Sequence, residues 1–271
     1  MPTMRLIIHH KTLYRYDHAP RHLIQLLRLT PRTEGHQRVL EWRISTPGKH
    51  TGFEDAFGNL SHSHVWRSPK NELELLVQGT VEVSALAGGA LAPESGLRAV
   101  PSIAYLVPTP LTQGFAAVDH LAQKALPGGL KTEWDALALA QAVSDALPYT
   151  AGNTDVTSTA QQAFELASGV CQDHAHVMIA ACRSLGISSR YVSGYVDPGN
   201  SRSAASHAWV DIWLGDRWVS VDVTNGVFAG EFHCRLAMGR DYLDACPVRG
   251  MREGGNSEQL DVSVTVETVQ Q

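Results

Sequence analysis

The chain has 271 residues, of which 44% are hydrophobic and 18% charged, the balance of an ordinary soluble globular protein and not of a disordered or membrane-embedded one. That length fits one large domain or two smaller ones. With 22 Lys and Arg against 27 Asp and Glu, the net charge of -5 gives no electrostatic basis for a nucleic acid or an anionic membrane as partner.

The first ten residues hold one Arg and a short Leu6-Ile7-Ile8 run, too short for a signal h-region and without a small-residue cleavage site. No stretch approaches the roughly 18 to 20 apolar residues of a spanning helix, so a cytoplasmic protein is expected. Cys171, Cys182, Cys234 and Cys246 form no Cys-x-x-Cys pair and no disulfide framework, and reduced thiols are expected.

Residues 4–9, 12–16, 24–30, 38–45, 63–66 and 73–83 read as strands. They are short, often alternate apolar with polar, and are separated by turn chemistry at Pro47-Gly48, Phe57-Gly58-Asn59-Leu60 and Ser68-Pro69-Lys70-Asn71. Over 84–101 the composition shifts to Ala and Gly, which reads as a linker or long loop. Helical periodicity covers 115–126 and 133–147, each stopped by a proline, Pro127 and Pro148. A further helix is expected over 157–166, with Ser158 or Thr159 as its cap. Strands return at 189–196, 207–214 and 218–223, and the alternation of Val262, Val264 and Val266 predicts a last one. The expected division is a β-rich domain over 1–95 and a mixed domain over 96–271.

Ser168-Gly169-Val170 leads into a helix over 171–185. At 3.6 residues per turn, Ala175, Met178, Ile179, Cys182 and Leu185 share an apolar face, and Cys171 projects along it at its start. A helix N-terminus adds unpaired N–H groups and partial positive charge, which stabilise a thiolate and can donate to an oxyanion. A cysteine taken alone reads as a small core residue. Cys182 keeps that reading, and Cys234 and Cys246 have no assigned role. Cys171, His174 and His176 could also be soft metal ligands, but residues two apart on a helix point in nearly opposite directions. Neither metal nor cofactor is expected.

His207, Trp209, Asp211 and Trp213 lie on one face of an alternating strand, with Ala208, Val210 and Ile212 on the other. A turn at Leu214-Gly215-Asp216-Arg217 leads to Trp218, Ser220 and Asp222, opposite Val219, Val221 and Val223. With Gly215-Asp216 as a two-residue loop, Trp209 pairs with Asp222, and His207 is the diagonal neighbour within hydrogen-bond reach. Asp211 is the rival carboxylate, further along the strand. Cys, His and Asp in this order are a nucleophile, its base and the base's orienter. Their joint placement points to acyl transfer. Trp209 and Trp213 either wall an acyl groove or pack the sheet.

Gly169-Val170-Cys171-Gln172-Asp173-His174-Ala175-His176, Arg183-Ser184-Leu185-Gly186-Ile187, Arg190-Tyr191-Val192-Ser193-Gly194-Tyr195, His207-Ala208-Trp209-Val210 and Asp222-Val223-Thr224-Asn225-Gly226 together resemble the core of the microbial transglutaminase-like superfamily. His10-Lys11-Thr12-Leu13-Tyr14-Arg15-Tyr16, Leu27-Arg28-Leu29-Thr30-Pro31-Arg32 and Asp55-Ala56-Phe57-Gly58-Asn59 resemble the β-rich domain that precedes it in many bacterial members. Met238-Gly239-Arg240-Asp241-Tyr242-Leu243-Asp244 with Pro247-Val248-Arg249-Gly250 resembles the family's closing motif. The resemblance implies an α+β, papain-like core, a helix bearing the nucleophile packed on an antiparallel sheet, with Cys171 as nucleophile, His207 as general base and acid, and Asp222 as orienting carboxylate. Two positions depart from the family pattern. Val223 stands where relatives have proline, which would loosen the turn after Asp222, and His174 stands where they have an aromatic or small residue, which would alter the cleft wall.

The expected reaction is attack of Cys171 on an amide carbonyl. The Cys171 N–H holds the oxyanion, with Gln172 and Tyr149 as candidates for a second donor, and His207 protonates the leaving amine. With water as acceptor the chain is a cysteine peptidase or amidase; with an amine it is a transglutaminase acting on a glutamine acyl group. Hydrolysis is the expected outcome, since water is the default acceptor unless a site excludes it. A non-catalytic peptide-binding module is the remaining class, and the complete set of Cys, His and Asp argues against it. The expected partner is a peptide or protein substrate.

Overall fold

The computed structural model describes residues 3–67, 69–93, 100–197, 199 and 206–270. Ser68 of the predicted turn and residues 94–99 of the predicted linker lie outside them. β1 (Thr3–Tyr16) is one continuous strand where two were expected. The polar pair that breaks its apolar alternation is buried and bonded: His10 Nδ1 lies 2.6 Å from Tyr195 Oη, and its Nε2 lies 2.9 Å from Thr12 Oγ1.

Two antiparallel sheets fill the first part of the chain. β1 pairs with β6 (Glu72–Ser84), which pairs with β3 (Gln37–Ser45). In the second sheet β5 (Leu60–Arg67) lies between β2 (His22–Leu27) and β4 (Lys49–Glu54). The end of the chain returns to both sheets. β12 (Val248–Glu253) pairs with β2, and β13 (Glu258–Gln270) pairs with β1 from Tyr16 opposite Glu258 to Met4 opposite Gln270. The strand predicted at the C-terminus therefore completes the N-terminal sheet, and the β-rich unit is built from both ends of the chain.

Between them lies the α+β core. α1 (Ala116–Ala125), α2 (Glu133–Ala146) and α3 (Ala160–Leu166) pack on α4 (Cys171–Ser184), which is buried on every side from Asp173 to Cys182. α3 starts at the predicted cap, Thr159, whose hydroxyl accepts from Gln162 N–H. The antiparallel central sheet runs β10-β9-β8-β7-β11, comprising β7 (Ser189–Val196), β8 (Ser206–Trp213), β9 (Trp218–Asp222), β10 (Val227–Phe228) and β11 (His233–Gly239). A four-residue helix, α5 (Tyr242–Ala245), follows β11. Among the described residues no helix is long and apolar enough to cross a membrane.

Both faces of the central sheet are covered. Ala208, Val210, Ile212, Val219 and Val221 share a core with α4 and its neighbouring helices, while Tyr195, Cys234 and Leu236 pack on Leu6, Ile8, Leu75 and Val77 of the first sheet. β11 is buried along its whole length, so it lacks the alternation that reveals a half-exposed strand. Gly194 marks the tightest approach: a Cβ there would sit 2.2 Å from Cys234 O and 2.4 Å from the Trp209 ring.

Gly194→Ala is therefore expected to destabilise the protein by at least about 2 kcal/mol. Gly114→Ala, with no atom within 4 Å of the new Cβ, should stay within about 0.5 kcal/mol of wild type. Thermal unfolding distinguishes the two, and equal Tm values would contradict the packing described.

Candidate active site

The turn before α4 is held from two directions. Asp173 Oδ2 accepts from Val170 N–H at 2.8 Å and from the Thr154 hydroxyl at 2.7 Å, while Thr150 N–H donates to Gly169 O at 2.8 Å. Gly169 leaves room for Asp173, whose Cβ would lie 2.6 Å from a side chain at that position. Cys171, the first residue of α4, is partly exposed. As at every helix start, its N–H has no intrahelical partner.

The base and its carboxylate come from one hairpin. Val210 lies opposite Val221 and Trp213 opposite Trp218, and Leu214 N–H donates to Arg217 O at 2.9 Å, the register of a Gly215-Asp216 loop. His207 Nε2 lies 2.8 Å from Asp222 Oδ2. Burial disfavours a charged His207, but hydrogen bonds to Asp222 and Cys171, and attraction to both, outweigh it. The imidazole therefore holds its proton well above the ordinary histidine value. The structure thus brings Cys171, His207 and Asp222 together.

Asp222 has no solvent exposure. Burial alone would raise its pKa, yet hydrogen bonds from His207 and His233, together with the charge on His207, hold the carboxyl well below the usual range. Asn225 grips the other side, its N–H donating to Oδ1 at 3.1 Å and its Nδ2 to Oδ2 at 2.6 Å. These bonds hold the turn after Asp222, in which Val223 is buried. His233, with Nε2 3.0 Å from Asp222 Oδ2, escaped the sequence reading because it opens the unrecognised strand β11 and has no motif around it.

Asp211, the rival carboxylate, is occupied elsewhere. It accepts from Arg190 Nε at 2.8 Å, from Arg235 at 2.6 and 2.8 Å and from Ser220 Oγ at 2.7 Å. Burial raises its pKa, but the two guanidinium groups draw it well below the carboxylate range.

The outer candidates separate. Tyr149 is half exposed and close enough to Cys171 for the thiol to affect its ionisation. Desolvation first, and Cys171 second, raise the phenol pKa. Gln172 is partly exposed, but its Nε2 is buried without a hydrogen-bond partner. Trp209 does not wall a groove. It is 1% exposed and packed with Val192, Ala229 and Met238, because its face of the sheet is covered.

His174 is not in the cleft wall either. It is fully buried, donating from Nε2 to Leu147 O at 2.7 Å and accepting from Thr224 Oγ1 at Nδ1, 2.9 Å away. His176 accepts Tyr242 N–H at 3.2 Å. Both rings serve packing contacts in different directions.

Residues 119–223 match the transglutaminase-like superfamily, and residues 6–82 match the bacterial transglutaminase-like N-terminal region. An uncharacterized protein of Mycobacterium leprae is 29% identical over 97% of this chain and 98% of its own length. One from Mycobacterium tuberculosis is 28% identical over 98% of this chain and 93% of its own. Among solved structures, a candidate cysteine protease from Cytophaga hutchinsonii superposes with a TM-score of 0.80 at 20% identity, covering 100% of this chain and 92% of that one. This likeness shows the fold.

Several histidines lowered by burial contribute to the acid limb of stability, His10 and His176 among them. Desolvation lowers the pKa of His10 to about 4. For His176, desolvation, with the nearby Arg183 charge second, lowers it to about 3. Unfolding returns each to about 6.5, so the unfolded state binds more protons below that pH, and stability falls as pH drops from 6.5 toward the folded values. His207 has the opposite sign: its contribution is complete below 6.5 and is lost only as pH rises through its raised value. Denaturant unfolding between pH 7 and 5 should show stability falling by about 1.4 kcal/mol per pH unit for each buried histidine, with the slope reduced in His176→Asn. A flat profile would contradict these assignments.

Proposed function

The chain joins a transglutaminase-like core of papain-like fold, the frame of a thiol enzyme, to the bacterial transglutaminase-like N-terminal region, and on that footing we propose that it hydrolyses amide bonds through a Cys171 thioester. The observation that carries this reading is His207, close enough to Cys171 for the thiol to raise its pKa and 2.8 Å from the buried Asp222. A histidine so placed takes the thiol proton, and an ionised carboxylate behind it stabilises the imidazolium.

The steps balance as follows. The Cys171 sulfur attacks the carbonyl carbon, and the C=O electron pair moves to oxygen, which the Cys171 N–H at the start of α4 stabilises. Gln172 Nε2, buried without a partner, is the second oxyanion donor in this reading. The tetrahedral adduct collapses, the C–N bond breaks, and His207 gives its proton to the departing amine, leaving a thioester. Water then adds to the thioester carbonyl while His207 takes one of its protons. Breakage of the C–S bond releases the acid and restores thiolate and imidazolium. The partial exposure of Cys171 and the half-exposed Tyr149 beside it favour water as the acceptor. The substrate class is a peptide or protein, with the preferred side chain set outside these residues.

At about pH 6.5, near the unperturbed histidine value, wild-type Cys171 should react with iodoacetamide at least about tenfold faster than Cys171 in His207→Ala. Peptide mass spectrometry gives the site-resolved rates. Equal rates would remove the activated nucleophile and with it the proposal. Gln172→Ala should lower kcat by about a hundredfold with KM little changed if Gln172 donates to the oxyanion. An added amine should leave the yield of free acid unchanged; diversion of product to the amine adduct would favour transamidation instead.

A further inference from the structure

The carboxylate that orients His207 has a second imidazole on the same oxygen. Asp222 Oδ2 lies 2.8 Å from His207 Nε2 and 3.0 Å from His233 Nε2. His233 is nine-tenths buried, and its protonation pattern is fixed by its other nitrogen. Gly230 N–H donates to His233 Nδ1 at 3.2 Å, and His233 N–H returns a bond to Gly230 O at 2.9 Å. An Nδ1 that accepts a hydrogen bond carries no proton, so the ring proton sits on Nε2 and points at Asp222. The Trp209 ring packs edge-on against His233 at 5.3 Å and lies 6.3 Å from His207, and the two imidazole centroids are 6.4 Å apart.

Resting on the acyl-transfer reading above, we propose that His233 is a positioning residue for the His207–Asp222 pair: a neutral donor that keeps Asp222 anionic and limits how tightly the carboxylate holds the His207 proton. When His207 gives its proton to a leaving group, the buried carboxylate loses the imidazolium that compensated it. A buried anion without compensation takes up a proton or pulls one back. His233 and Asn225 are neutral and remain bonded through that step, so Asp222 stays ionised while His207 is a free base. Each donor on Oδ2 also draws off electron density that would otherwise strengthen the bond to His207, which keeps the imidazolium proton available for transfer. The titratable groups facing this carboxylate are His207 from β8 and His233 from β11, with Cys171 and His174 of α4 next to them; His174 responds to the charge of both Asp222 and His207.

The test follows the imidazole 15N shifts of the full-length chain against pH. Wild-type His233 should show the Nε2–H tautomer, and the Nδ1–H tautomer would overturn the proposal without recourse to any variant. His233→Phe keeps a ring against Trp209 and removes the donor. The His207 midpoint should then rise by about one pH unit, the worth of one hydrogen bond to a charged group, and His233→Gln, which retains an N–H, should bring it back. A folded His233→Phe with an unchanged or lowered midpoint overturns the proposal, because a packing role alone would not move that midpoint upward. Loss of the His207 dependence of Cys171 alkylation in the wild type would defeat the acyl-transfer reading while leaving this comparison intact, so the two failures are distinguishable.

Discussion

A carboxylate without solvent contact must find all its hydrogen bonds inside the protein, and the rest of the site is arranged around Asp222 meeting that demand. Its donors arrive from the start of β8 (His207), the end of β9 and the turn beyond it (Asn225), and the start of β11 (His233). These three strand termini lie at the same end of the central sheet. His207 and His233 both reach one oxygen of Asp222 there, although β7 and β8 lie between β9 and β11 in the sheet. Cys171 comes from outside the sheet. It is delivered by α4, whose starting turn is fixed by Asp173 and the segment around Thr150 and Thr154.

Covering both faces of the sheet has a cost in buried polar groups, which the fold meets with specific partners. Asp211 takes two arginines and a serine, His10 takes Tyr195 and Thr12, and Arg183 donates to Tyr105 O and Arg240 O. The β-rich unit, closed by β12 and β13 from the far end of the chain, lies against β7 and β11 and so supports the strand that presents His233. Burial of this kind makes interactions with Asp222 stronger than they would be in water, and makes a missing partner correspondingly expensive.

Much of this was legible in the sequence where a local rule had a single solution. Gly215-Asp216 set the hairpin register, and with it the meeting of His207 and Asp222, because a two-residue loop leaves no freedom in pairing. Cys171 stood at a helix start marked by Ser168-Gly169 and an apolar repeat. The features that escaped depend on long-range packing. β11 has no alternation since both of its faces are buried, so His233 had no strand on which to be placed. Trp209 could be read either as a groove wall or as sheet packing, because strand periodicity tells which face a residue takes but not what covers that face. His10 and Thr12 split one strand into two on paper, since the bond that accounts for His10, to Tyr195, spans 185 positions of sequence. The destination of the last strand was hidden for the same reason: its alternation announces a strand and says nothing of the partner.

The account stands on Asp222 and His207 acting on Cys171 as one unit, and transfer of a small acyl group tests that most directly. We would incubate wild type and Asp222→Asn with p-nitrophenyl acetate and follow the acetyl group on Cys171 by intact-mass and peptide mass spectrometry. Rapid, hydroxylamine-labile acetylation confined to Cys171 in the wild type, slowed by at least about a hundredfold in a folded Asp222→Asn protein, is the predicted result. Acetylation at the same rate in both proteins, or none at Cys171, would contradict it.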